Sequence, residues 1–267
     1  MKAEAPWLSK LAERARAELL AKKRKRPEKL LETLARAAPS PVPFERSIRR
    51  AKGIALVAEV KRRAPERVLD RELDVTAFAK DAEAGGAAAL AVWTEGVAFG
   101  GALEDLSRAR AGSVLPLVRL DVLVDPWQLL ESRVAGASAV LLTAALLPGK
   151  ELTALLAGAT RLAVESLVEV GADEELERAL DAGAARVLVD RRDLRTGELD
   201  PARTERLLTR ARNAGALALA KDGIGSPEEA VRLVDAGADA IVAGTHLVLA
   251  ADRARAARAL VDARPRA

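Results

Sequence analysis

From about residue 54 onward the chain repeats one pattern: a short run of consecutive apolar residues, then a longer stretch with apolar residues every three or four positions. The runs at 54–60, 88–93, 115–120, 139–143, 166–170, 186–190, 216–220 and 239–243 read as strands. Between them VTAFAKDAEAGG, PWQLLESRVAGA, DEELERALDAGA and SPEEAVRLVDAGA read as amphipathic helices. Helical stretches end in a Gly-Ala pair at Gly136, Gly183, Gly215 and Gly237, where glycine takes the left-handed conformation that turns the chain back into a strand. Ser226-Pro227-Glu228-Glu229 marks a helix start by its capping hydroxyl, its proline and its first-turn acids. Strands apolar along their whole length belong in a parallel sheet covered by helices. Eight such units predict an α/β fold, a closed (β/α)8 TIM barrel over 51–267. Residues 1–50 carry a charged helical pattern around 8–36 and the breaker-rich APSPVP at 38–43, which predicts an N-terminal helical extension packed on or beside the barrel.

Composition narrows the chemistry. Half of the residues are hydrophobic but only 2% are aromatic, so the core is aliphatic. With no cysteine and a single histidine, His246, neither disulfides nor a thiolate or histidine-rich metal site can form, and no metal or cofactor is expected. The N-terminal MKAEAPWLSKLAERARAELL is charged throughout and lacks the apolar stretch of a secretory signal. No apolar run approaches the roughly 20 residues that span a bilayer, so a cytoplasmic protein without membrane contact is expected. A net charge of +4 admits an anionic partner. KKRKR at 22–26 lies in a helical pattern without interleaved aromatics and reads as a solvated face, so the expected partner is a phosphorylated small molecule rather than nucleic acid. The expected state is a monomer or a weak homo-oligomer.

Polar residues at strand ends are poorly explained by packing, because barrel sites are built there. Glu59 and Lys61 are two apart, so both point into the mouth, either as a buried ion pair or as part of a site. Other strand ends bring Trp93-Thr94-Glu95, Asp121, Thr143, Glu169, Asp190 with Arg192, Lys221-Asp222 and Gly244-Thr245 to the same rim. Crowded carboxylates and cations push pKa values apart and can supply an acid and a base. Gly223 and Gly244 follow the seventh and eighth strands, where barrels commonly hold a phosphate with backbone amides.

Taken in order, VAEVKRRAP, GGAAALAVWTEGVAFGGALEDL, LPLVRLDVLVDPWQ, GASAVLLTAALL, SLVEV with EELERALDAGA, RRDL and AGADAIVAGTHLV resemble the indole-3-glycerol-phosphate synthase family. The resemblance covers nearly the whole chain. It implies a lyase of tryptophan biosynthesis, a decarboxylase that closes a ring in a carboxyphenylamino-deoxyribulose phosphate. By the same resemblance, Glu59, Lys61, Glu169 and Arg192 bind the substrate carboxylate or take part in proton transfer, and Gly244 helps to hold the phosphate.

The sequence departs from the family at charged positions. The family's third strand ends Arg-Lys-Asp-Phe, with the lysine as main general acid, and here reads Arg119-Leu120-Asp121-Val122. Ser-Pro-Ser is replaced by Ala64-Pro65-Glu66, which removes a phosphate-contacting hydroxyl and brings in a carboxylate. Asn-x-Arg-Asp-Leu is Asp190-Arg191-Arg192-Asp193-Leu194, and Glu-Ser-Gly is Lys221-Asp222-Gly223. The expected catalytic set is therefore Glu59, Lys61, Glu169, Asp190 and Lys221, with Lys221 available in place of the lost lysine. Trp93, Leu120, Arg192 and Asp222 are expected to contact substrate, and Gly223, Gly244 and Thr245 its phosphate. Two other readings stand beside this one. A repurposed or engineered barrel would use Asp190 or Glu169 to abstract a proton from a flat apolar substrate stacked on Trp93, in an interior dried by Leu120, Val122 and Leu188. A non-catalytic relative would bind a ligand or partner, or serve as a scaffold.

Overall fold

The computed structural model describes residues 6–65, 67–192 and 198–264. Three helices precede the first strand: α1 (Pro6–Lys25), α2 (Glu28–Ala37) and α3 (Phe44–Arg49). The single helical stretch expected over 8–36 is thus two helices. Pro27 breaks it, having no N–H to donate and disfavouring a helical residue before it. The short α3, behind the proline-rich linker, was not legible in the periodicity.

Eight strands follow: β1 (Ala55–Val60), β2 (Ala89–Trp93), β3 (Leu117–Leu120), β4 (Ala139–Thr143), β5 (Glu165–Val170), β6 (Arg186–Asp190), β7 (Leu217–Lys221) and β8 (Ala240–Ala243). They pair in parallel and in sequence order, and β8 closes onto β1 from Ala55↔Ala240 to Ala58↔Ala243. The intervening and closing helices are α4 (Val75–Ala84), α5 (Asp105–Gly112), α6 (Pro126–Val134), α7 (Gly149–Arg161), α8 (Asp173–Asp181), α9 (Pro201–Asn213), α10 (Pro227–Asp235), α11 (Thr245–Val248) and α12 (Arg253–Val261). The punctuation behaves as its chemistry requires: Gly136, Gly183, Gly215 and Gly237 all have positive φ, and Ser226 Oγ accepts the Glu229 N–H at 3.2 Å. A small antiparallel hairpin, Arg63–Ala64 with Arg67–Val68, overlies the β1 exit and was not anticipated.

The two-residue period of the strands separates two cores. Leu56, Leu90, Val140, Val168, Val187 and Ile241 face outward and pack against the helices. Val57, Ala91, Val118, Leu141, Leu167, Leu188, Leu219 and Val242 face inward and fill the barrel with aliphatic side chains. One step further along five of the strands, the next inward positions are Glu59, Thr143, Glu169, Asp190 and Lys221, while Trp93, Leu120 and Gly244 take the corresponding places on the other three. On those five strands the fill changes from apolar to polar where the strand ends.

The N-terminal helices touch the barrel at both ends and along one side. Phe44 and Ile48 of α3 are fully buried with Ala55 and Ala89 at the amino ends of the strands, where Glu165 accepts the Phe44 N–H at 2.7 Å. Leu31 and Ala35 of α2 pack on Trp127 and Leu130 of α6. Trp7, Leu8 and Leu11 of α1 reach the opposite, carboxyl end beside Val122 and Leu146.

Candidate active site at the barrel mouth

A cavity of about 880 Å³ opens at the carboxyl ends of the strands. Glu59, Lys61, Trp93, Glu169, Asp190, Arg192, Lys221, Asp222, Gly223, Gly244 and Thr245 all line it, so residues chosen from six separate sequence segments meet in one place. Leu120 does not. Its side chain is 1% exposed, packed with Trp93 and Phe99 in the barrel interior, and it corrects the expectation of a substrate contact there. The register sets Leu120 beside Trp93, whose larger ring reaches the cavity while the leucine stays below it. Leu188 is likewise interior, whereas Val122 and Ala64 are on the wall. Glu66, Asp193 and Leu194 lie outside the described residues.

The charged side chains form one continuous network. Lys61 Nζ lies 2.6 Å from Glu59 Oε2 and 3.9 Å from Asp222 Oδ1. Lys221 Nζ lies 2.5 Å from Glu169 Oε1, 3.3 Å from Asp190 Oδ2 and 3.8 Å from Asp222 Oδ2. Trp93 Nε1 donates to Glu59 Oε1 at 2.7 Å, and Thr143 Oγ1 donates to Glu169 Oε2 at 3.0 Å. Glu59 and Lys61 are thus both an ion pair and part of the cavity wall. Gly244 completes this corner, since a Cβ there would run into the Glu59 carboxylate.

Three electrostatic consequences follow. Burial pushes the Asp190 carboxyl up, Lys221 draws it down, and Asp222 and Glu169 push it up again, leaving it at about 7. Burial also opposes ionisation of Asp222, but Lys221, Lys61 and Arg192 overcome it and hold Asp222 below the usual carboxylate range. For Lys221 burial favours the neutral amine, yet Asp190, Glu169 and Asp222 outweigh it and raise its pKa well above the ordinary value. At neutral pH Lys221 is therefore a permanent ammonium.

Behind the wall, Arg119 points outward from β3 and binds Asp121 Oδ2 at 2.7 Å and Glu131 Oε2 at 3.0 Å. Asp121 also accepts Thr94 Oγ1 at 2.6 Å, so the rim of β2 and β3 is tied from outside the barrel. Among the described residues no group of three or more His, Asp or Glu side chains is arranged to hold a metal ion, and no helix is long and apolar enough to cross a membrane.

Several wall residues were missed by the reading of strand ends. Trp7, Leu8 and Leu11 arrive from α1, and their helical spacing was visible but not their destination. Phe99 stacks on Trp93 with ring centroids 3.4 Å apart and planes 9° from parallel. It lies in the loop after β2, outside any periodic segment. Arg67 and His246 complete the wall near the hairpin and the β8 exit.

The chain matches the sequence model of the family described as indole-3-glycerol phosphate synthase over residues 8–260. It is 38% identical over 230 residues to the indole-3-glycerol phosphate synthase of Mycobacteroides abscessus, covering 86% of this chain and 84% of that one. The protein of the same name from Roseiflexus is 37% identical over 253 residues, covering 92% and 94%, and that from Kineococcus radiotolerans 40% identical over 213 residues, covering 79% and 77%.

Proposed function

Because the chain belongs to the indole-3-glycerol phosphate synthase family, we propose that its mouth closes and decarboxylates a phosphorylated carboxyphenylamino-deoxyribulose, as a lyase of tryptophan biosynthesis. The observation that carries this reading is convergence: Glu59, Lys61, Glu169, Arg192 and Gly244, the positions that match the family motif, all line one cavity.

Ring closure joins the arene carbon bearing the carboxylate to the ketone carbon, CO2 leaves, and the ketone oxygen departs as water. The site must then neutralise a carboxylate, protonate the ketone oxygen and remove a methylene proton. Lys61 and Arg192 are the cations for the carboxylate. Glu169, its second oxygen free of Lys221 and held by Thr143, is the base. Glu59, fixed by Trp93 and Lys61, orients the ammonium of Lys61. Lys221 supplies positive charge that keeps the surrounding carboxylates in place. Gly223, Gly244 and Thr245 offer the phosphate a corner without side-chain bulk, and the aromatic ring lies along Trp93, Val122 and the apolar face of α1. A charged, phosphorylated substrate that does not cross membranes unaided supports a cytoplasmic site of action.

The test is direct. Purified protein mixed with the carboxyphenylamino-deoxyribulose phosphate should develop indole fluorescence, and a flat trace at high enzyme concentration overturns the reading.

A further inference from the structure

No general acid stands on the third strand, since Leu120 is buried below the cavity. Two carboxyl groups stand instead where the resemblance puts asparagine and serine. Asp190 ends β6 and Asp222 follows β7, and the Asp190↔Lys221 register sets the two strand ends side by side. Both carboxyl groups face Lys221 Nζ, at 3.3 Å and 3.8 Å, and the same ammonium meets Glu169 at 2.5 Å. Three carboxyl groups around one ammonium repel one another, and a proton on one of them relieves that repulsion. Asp190 is 1% exposed, with Oδ1 accepting the Arg192 N–H at 2.9 Å and Oδ2 turned to Lys221. Asp222 adopts the left-handed conformation, at φ 71°, with its carboxylate between Lys61 and Lys221.

We propose that Asp190, on the cavity wall beside Asp222 and Lys221, is the general acid of this site and replaces the lysine missing from the third strand. The inference rests on the synthase reading and deepens it. Among the described residues, Lys221 from β7 and Glu169 from β5 face the carboxyl group, Asp222 lies beside it with Arg192 acting on Asp222, and Arg203 of α9 donates to the Asp190 backbone carbonyl at 3.3 Å. Arg191, next in the chain, turns away to Glu229 and the Asp222 carbonyl. Lys221 is the wrong donor, because the acidic groups around it raise its pKa well above the ordinary value.

In the step itself the Asp190 proton passes to the ketone oxygen as the new carbon–carbon bond forms and the carbonyl π bond breaks. Loss of CO2 returns the electron pair that restores the arene. Asp190, reprotonated from solvent, then gives the hydroxyl a second proton so that it leaves as water, while Glu169 takes the methylene proton. The net proton consumed comes from solvent through Asp190.

The experiment compares turnover against pH for the wild type, Asp190→Asn, Asp222→Asn and Asp190→Asn with Leu120→Lys. In the wild type, kcat should fall tenfold per pH unit above about 7, where Asp190 loses its proton. Asp190→Asn should lower kcat about 10²- to 10⁴-fold with KM within a few-fold, as for loss of a general acid. Leu120→Lys should restore part of that loss. Asp222→Asn removes a negative charge beside Asp190 and should shift the alkaline limb to lower pH. A productive wild type joined by an equally active Asp190→Asn, or an alkaline limb unmoved in Asp222→Asn, overturns the acid and leaves the synthase reading standing. A wild type that forms no product overturns that reading and the acid's role with it.

Discussion

Arg119 shows what one buried charge does to a strand. Its guanidinium is fully buried between β3 and α6, and it is the common partner of Asp121 and Glu131. Arg119→Met should therefore strand two carboxylates and lower stability by about 3–5 kcal/mol, read from urea unfolding. Asp190 presents the opposite sign. Its folded pKa of about 7 lies above the ordinary 3.8, so the folded state holds a proton that the unfolded chain gives up. Its contribution is most favourable below the ordinary value and is lost as pH rises from about 4 towards 7. Asp190→Asn removes that penalty while Glu169 and Asp222 still pair Lys221. The variant's melting temperature relative to wild type should rise more at pH 8 than at pH 5, even as turnover falls. Such residues were legible as types at strand ends. Their protonation was not, because it depends on distances among Asp190, Asp222 and Lys221 that come from separate strands.

Among the elements, α1 has the clearest functional consequence. Trp7, Leu8 and Leu11 close one side of the mouth against Val122 and Leu146, so a helix outside the barrel shapes its cavity. Leu8→Ser with Leu11→Ser removes apolar contact worth about 1.5–3 kcal/mol per side chain from that junction. KM should rise about tenfold or more with the barrel's melting transition little changed, since neither leucine belongs to the barrel's two cores. A collapse of the transition would mean that α1 folds as part of the barrel. Element boundaries were legible where a residue acts locally: Ser226 and Pro227 start α10, and Gly183 and Gly237 end helices through positive φ. The break at Pro27 is equally local, although the surrounding periodicity ran straight through it. The hairpin after β1 and the six-residue α3 carried no periodic signal, because two-residue strands and single-turn helices are too short to show one.

For the whole molecule, closure turns eight separated strand ends into one site. A single N-terminal stretch binds the barrel at its base through Phe44 and Ile48, along α6 through Leu31 and Ala35, and at its mouth through α1. The sequence by itself determined the eight-strand barrel and the strand edges to within two residues, and it singled out the polar strand ends that line the cavity. It could do so because apolar periodicity, glycine punctuation and the alternation of strand faces are local properties of the chain. Only the tertiary structure decided that Leu120 lies below the cavity, that Trp93 stacks on Phe99 and holds Glu59, and that α1 covers the rim. It alone placed Asp190 and Asp222 together beneath Lys221. The physical reason is that side-chain depth, stacking and protonation depend on separations of a few ångströms between residues far apart in the chain.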